Sequence, residues 1–229
     1  MGLLQKLRYF DIASNLLTGS IPSEIGLLQD SIRIHVRSNA LTGRIPTELG
    51  LARQVENLSL RQNMFSGQAL PIFIQMTNLQ RLFLDRNSLS GSIPSEYGIL
   101  TSLGWFSLSQ NDISGSIPSE LGDLSSLVLL HLGSTNISGT IPSEIGFLVN
   151  RNLSDFSVTQ STLLTGTAPS QLCQLNQACT YSTDPELTLC SIQINWLCLH
   201  KIAERTTPCS FAFDCTDSLC GCDCLCSSD

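Results

Sequence analysis

Leu17-Thr-Gly-Ser-Ile-Pro-Ser-Glu-Ile-Gly26, LTGSIPSEIG, is the stretch on which the reading of this chain turns. Its core returns as GSIPSE at Gly91 and Gly115, and as GRIPTE at Gly43 and GTIPSE at Gly139. A glutamate copied into one setting is either part of a catalytic loop or part of a scaffold. The residues on either side decide between the two.

Asparagines upstream of this segment, Asn15, Asn39, Asn63, Asn87 and Asn111, recur every 24 residues. A glycine follows each four positions later, at Gly19, Gly43, Gly67, Gly91 and Gly115. Apolar residues precede each asparagine at −3 and −5, as in Leu58/Leu60 and Leu82/Leu84. A sixth unit has Thr135 at the asparagine position; a seventh has three extra residues and Ser161 there. Such self-similarity marks stacked repeats. The L-x-L segment alternates at period 2, as a strand with one buried face does. A single unit cannot bury its own apolar side chains, so the copies must stack and share one core. Seven parallel strands about 4.8 Å apart make a ladder about 30 Å long. The asparagine amide, at the point where the chain leaves the strand, is placed to satisfy turn backbone. Thr135 and Ser161 do this only in part, so the ladder should loosen toward its C-terminal end.

The opening glutamate can now be weighed. Proline after isoleucine suits an extended segment or the start of a helical turn. The flanking isoleucines point inward and the glutamate outward, so Glu24, Glu48, Glu96, Glu120 and Glu144 form an acidic column. The third unit, GQALPIFIQ, interrupts it. Carboxylates in adjacent units about 5 Å apart would match retaining glycosidases. Catalytic carboxylates, however, need a cleft and divergent environments, which identical repeats do not provide. The column therefore reads as a solvated face. His35 and His131 share a column four units apart, about 19 Å on the strand spacing, too far for a shared site. No phosphate-cradling glycine loop, metalloprotease helix or nucleophile elbow is present. The expectation is a protein without catalytic residues, metal or cofactor.

The unit L-x-x-L-x-L-x-x-N-x-L-(T/S)-G-x-I-P-(S/T)-E-(I/L/Y)-G resembles the leucine-rich repeat of the plant-specific class. That class occurs in receptor-kinase ectodomains, polygalacturonase-inhibiting proteins and secreted algal proteins such as those of diatoms. The resemblance covers residues 3 to 169. It implies an α/β solenoid, a right-handed coil of about seven repeats with a parallel β-sheet on the concave face. The domains would be 1–169, the solenoid, and 170–229, a Cys-rich C-terminal cap.

Composition divides the chain at the same place. All ten cysteines (Cys173, Cys179, Cys190, Cys198, Cys209, Cys215, Cys220, Cys222, Cys224, Cys226) lie in the last 57 residues. Their density points to disulfides and an oxidising compartment; a thiolate cluster holding zinc or copper(I) is the alternative. Asp184-Pro185 opens a helix carrying Leu189, Ile192, Trp196, Leu199 and Ala203, a lid for the last repeat. N-x-S/T sequons at Asn57, Asn136 and Asn152 are N-glycosylation candidates. Together these point to a secreted, extracellular protein, although no signal peptide opens this chain. A net charge of −7 argues against nucleic-acid binding. The longest apolar run, Leu127 to Leu132, is too short for a membrane span.

Function should lie on the strand face, whose outward positions the core leaves free. Five of the twelve basic residues gather there in an acidic protein: Arg33, Arg37, Arg61, Arg81 and Arg86. With His35 and the aromatic residues Phe83 and Trp105, expected to be exposed, they form a candidate partner-binding patch, since arginine and aromatics anchor interfaces. The competing, plainer reading is that Arg33 and Arg81 merely solvate strand ends, with Asp85 partly neutralising them. The patch suits a protein, a peptide or an anionic glycan, and a glycan on Asn57 would spoil it. The principal expectation is a secreted non-catalytic recognition protein. The alternative is a structural protein that self-assembles end to end through an uncapped N-terminal repeat.

Overall fold

The computed structural model describes residues 6–166 and 168–172. The first five residues, which bear on the uncapped edge, lie outside them, as do all ten cysteines, the lid helix and the 170–229 cap beyond Leu172.

Each repeat forms one coil with two short strands. They are Tyr9–Asp11 (β1) and Thr18–Gly19 (β2), Arg33–His35 (β3) and Ala40–Gly43 (β4), Asn57–Ser59 (β5) and Met64–Gln68 (β6), Arg81–Phe83 (β7) and Ser88–Ser92 (β8), Trp105–Ser107 (β9) and Asp112–Gly115 (β10), Leu129–His131 (β11) and Asn136–Gly139 (β12), and Asp155–Ser157 (β13) and Leu163–Leu164 (β14). The odd strands form one seven-stranded parallel sheet, β1-β3-β5-β7-β9-β11-β13. The even strands form a second, which the period-2 pattern does not reveal. In the first sheet Tyr9 pairs Arg33 and Leu58 pairs Leu82, so equal repeat positions face each other. In the second Ser66 pairs Ser88, a step of 22, so its strands shear past one another.

The −3 and −5 apolar positions fill the interior, with Leu58, Leu60, Leu82, Leu84 and Leu108 fully buried. Burying one such side chain contributes about 1.5–3 kcal/mol. Opposite the strands, Pro22, Pro46, Pro94 and Pro118 stand extended and open single 3₁₀ turns such as Ser23–Leu27. The outer wall is therefore made of 3₁₀ turns, with one five-residue α-helix at Ser143–Phe147. Gly26 lies where neighbouring coils touch; a Cβ there would sit 2.2 Å from the Glu48 carbonyl oxygen. The irregular third coil is tied down by its neighbour. Tyr97, fully buried and stacked on Phe106 at 5.2 Å, donates its hydroxyl to the Leu70 carbonyl at 3.0 Å. The coil lengthened by two residues is the sixth rather than the seventh: β11 to β13 steps by 26, as Leu129 pairs Asp155, and the extra length falls in the outer wall that carries the helix Ser143–Phe147.

The asparagine ladder forms as expected. Asn63 Nδ2 donates to Leu60 O at 3.1 Å in its own coil and to Val36 O at 3.1 Å in the coil before. Its Oδ1 accepts from Leu41 N–H at 3.1 Å. Asn39, Asn87 and Asn111 repeat the pattern. Thr135, with one proton, donates to Leu132 O at 2.7 Å and meets Ser161 Oγ at 3.4 Å; Ser161 donates to the same carbonyl at 3.3 Å. The amide that spans two coils has become two hydroxyls serving one carbonyl. The ladder is weaker at that end.

Candidate functional site

The outward side chains of the odd strands line the concave groove. In its N-terminal half His35, Arg37, Asn57, Ser59, Arg61 and Phe83 enclose a hollow of about 220 Å³. In its C-terminal half Arg61, Phe83, Asp85, Arg86, Ser107 and residues of the next two coils enclose one of about 270 Å³. Arg61 and Phe83 belong to both, so the hollows run into each other. Of the eight residues expected to bind a partner, His35, Arg37, Arg61, Phe83 and Arg86 line this groove. Arg33, Arg81 and Trp105 lie outside the two hollows, one column to the side.

That lateral column is organised by stacking. The Arg81 guanidinium lies 4.1 Å from the Trp105 ring centroid, and Arg33 lies 5.7 Å from that of Tyr9. Such contacts contribute about 0.5–1 kcal/mol each at exposed sites and hold the cation in place. Trp105 and Phe83 are half-buried rather than exposed. Neither Arg33 nor Arg81 is neutralised by Asp85. Asp85 instead pairs with Arg61, whose Nε lies 3.0 Å from its Oδ2, because Arg61 occupies the same column one coil earlier.

Asp85 is 7% exposed, a carboxylate in the groove floor. Burial pushes its carboxyl above the usual range, against the opposing pull of Arg61 and a hydrogen bond from Ser107. Asp11 behaves in the opposite way: the Ala13 N–H, donated at 3.0 Å, holds its carboxyl below the usual range. His35 bridges coils, with Nδ1 3.3 Å from Asp11 Oδ2 and Nε2 3.0 Å from Asn57 Oδ1. His131 Nε2 lies 2.9 Å from Asp155 Oδ2, yet this buried nitrogen is poorly aligned for a hydrogen bond. Arg86 differs in backbone too. Ser14, Ser38, Gln62, Arg86, Gln110, Ser134 and Gln160, each just before the asparagine position, have φ of 54–58°. These residues leave the strand in a left-handed turn, which directs their side chains along the groove's rim.

Other candidates separate from the groove. Glu24, Glu48, Glu96 and Glu120 stand exposed on the outer turns, and Glu144 is half-buried there. Of the sequons, Asn136 and Asn152 are exposed, whereas Asn57 is half-buried in the basic hollow. Ser107 and Ser157 were not singled out in sequence because small polar side chains on a strand carry no signal of their own; His131 was noted there only as too far from His35 to share a site with it.

The Leucine Rich Repeat family model matches residues 6–28, 78–100, 102–124 and 126–148. Unmatched are the second coil, with isoleucine and valine at its core positions, the irregular third and the seventh. No curated protein matches the chain. Among solved structures, the plant peptide hormone receptor RGFR1 in complex with RGF2 is similar at TM-score 0.66 and 30% identity, over 76% of this chain and 31% of that one. The LRR ectodomain of the plant membrane receptor kinase GASSHO1/SCHENGEN3 from Arabidopsis thaliana, in complex with CASPARIAN STRIP INTEGRITY FACTOR 2, is similar at 0.63 and 32%, over 78% and 24%. Leptospira interrogans LRR protein LIC12759 is similar at 0.62 and 33%, over 76% and 42%. This chain thus spans about a quarter to two fifths of the length of these three. Among the described residues no helix is long and apolar enough to cross a membrane.

Proposed function

We propose that this chain, which carries leucine-rich repeats and is similar to plant receptor ectodomains built from them, is a non-catalytic, extracellular recognition module. Its ligand is an extended peptide with acidic groups, held along the concave groove. One observation carries the reading: the basic residues of coils two to four converge on the face whose columns vary from coil to coil, while the copied residues build the scaffold. Arginines set in place by Tyr9, Trp105 and Asp85 lose little freedom on meeting an anion. The two plant receptors named above, each solved in complex with RGF2 or CASPARIAN STRIP INTEGRITY FACTOR 2, support a peptide over other partners. Asn57 stays free of glycan in this reading, and Asn136 and Asn152 carry any that is present.

The test is capture of synthetic peptides of about twelve residues with rising glutamate content, measured by calorimetry. Affinity should rise above that of the glutamate-free peptide as glutamates are added to up to about half of the residues. Replacing Arg37, Arg61 and Trp105 together by alanine should weaken it at least a hundredfold. Unchanged capture by the triple variant would move the site elsewhere.

A further inference from the structure

The groove is electrically uneven along its length. Coils two to four supply His35, Arg37, Arg61 and Arg86. Beyond coil four the lining is Ser107, Ser109, Gln110, Ser134, Ser157 and Thr159, with Leu129 as an apolar patch. His131 is the one titratable group lining that half among the described residues, and Asp155 lies 2.9 Å from it. Two carboxylates therefore bracket the uncharged half, Asp85 in the floor at its start and Asp155 at its far end. Arg61 reaches Asp85 from the coil-two side. An anion moving past Asp85 and Arg86 toward Ser157 leaves both guanidinium groups behind and approaches Asp155.

We propose that Asp85 sets the register of the ligand: its acidic segment lies over coils two to four, and the segment beyond, over coils five to seven, is uncharged and bears hydroxyl or amide groups. This rests on the groove being a site for acidic peptides. Serine, threonine and glutamine side chains donate and accept equally well, so they suit neutral amides and hydroxyls. Phe83 and Leu129 offer apolar surface to the same segment. Like charges brought together across an interface select strongly against a partner. The extended peptide that fits seven strands has about ten residues, so roughly half of it would meet each part.

Three twelve-residue peptides test the claim at one ionic strength: glutamate in one half with serine, glycine and asparagine in the other, glutamate throughout, and no glutamate. The half-acidic peptide should bind about tenfold more tightly than the fully acidic one. Simple attraction to a basic patch predicts the reverse. In a chain carrying Asp85→Asn and Asp155→Asn the two affinities should converge to within about twofold, through tighter binding of the fully acidic peptide. Equal binding of the two acidic peptides by the native chain overturns the register alone. So does a preference that survives the double substitution. If neither acidic peptide binds more tightly than the neutral one, the reading of the groove fails with it.

Discussion

Each coil gives one strand to each of two sheets, and the two sheets have opposite sequence habits. In the second sheet the same residues return from coil to coil: hydroxyls at Thr42, Ser66, Ser90 and Ser114, each followed by a glycine with φ near 80–93°. In the concave sheet the outward column reads Tyr9, Arg33, Asn57, Arg81, Trp105, Leu129, Asp155 without repeating. Copied positions meet the same demand in every coil, which is contact with the neighbouring coil. Uncopied positions answer to something outside the chain. The contrast separates scaffold from recognition surface more sharply than hydrophobicity does.

The largest test falls on the copied side. Asn111→Ala removes donors to Leu108 O at 2.9 Å and Leu84 O at 3.1 Å and the acceptor of Leu89 N–H at 2.9 Å. Stability in urea should fall by about 3 kcal/mol, since buried backbone groups are left unpaired. A change within error would erase the distinction between the two kinds of position. Next comes Asp85→Asn, on the uncopied side. The raised carboxyl of Asp85 means that the folded chain holds its proton more firmly than the unfolded one. Ionisation therefore takes stability away as pH rises from about 3.8 through the folded value. The variant should be more stable than the native chain at pH 7, by about 1 kcal/mol, and level with it near pH 3. A variant less stable at pH 7 would mean that Asp85 serves folding, not recognition.

Thr135→Asn carries the copied residue into the coil that lacks it. It should restore a donor to Leu108 O and raise stability by about 1 kcal/mol, read as a higher urea midpoint. A lower midpoint would show that the Thr135–Ser161 pair is adapted to the longer sixth coil. The smallest effect is expected of Ser92→Ala, exposed on the second sheet. It should change stability by less than about 0.5 kcal/mol and leave peptide capture untouched. A loss of capture would place recognition on the copied sheet.

Much of this was legible in the sequence, because a fixed period assigns every residue of a unit to a column. The asparagine ladder, its weakening at Thr135 and the membership of each concave column follow from counting. The second sheet was hidden because its strands are as short as two residues and most end at or beside a glycine, so they show no alternation. Arg86 was placed on the strand face, although it sits in a left-handed turn. The pairing of Asp85 with Arg61 was not legible, because columns say which side chains are aligned, not which will reach each other. Arg61 won on proximity, while Arg33 and Arg81 turned to aromatic rings. Tyr97 stands at the repeat position held elsewhere by isoleucine or leucine, and its hydroxyl is what secures the aberrant third coil.

The uneven length of the coils bears on ancestry. The first six units keep one phase, so unequal recombination among them would add or remove a whole coil and leave the trace of the chain intact. The 26-residue step into the seventh breaks that phase. A crossover spanning it would throw every later side chain off its column. The groove can thus lengthen by duplication from within while its last coil stays single, and each new copy arrives with a ready scaffold and a concave face free to diverge.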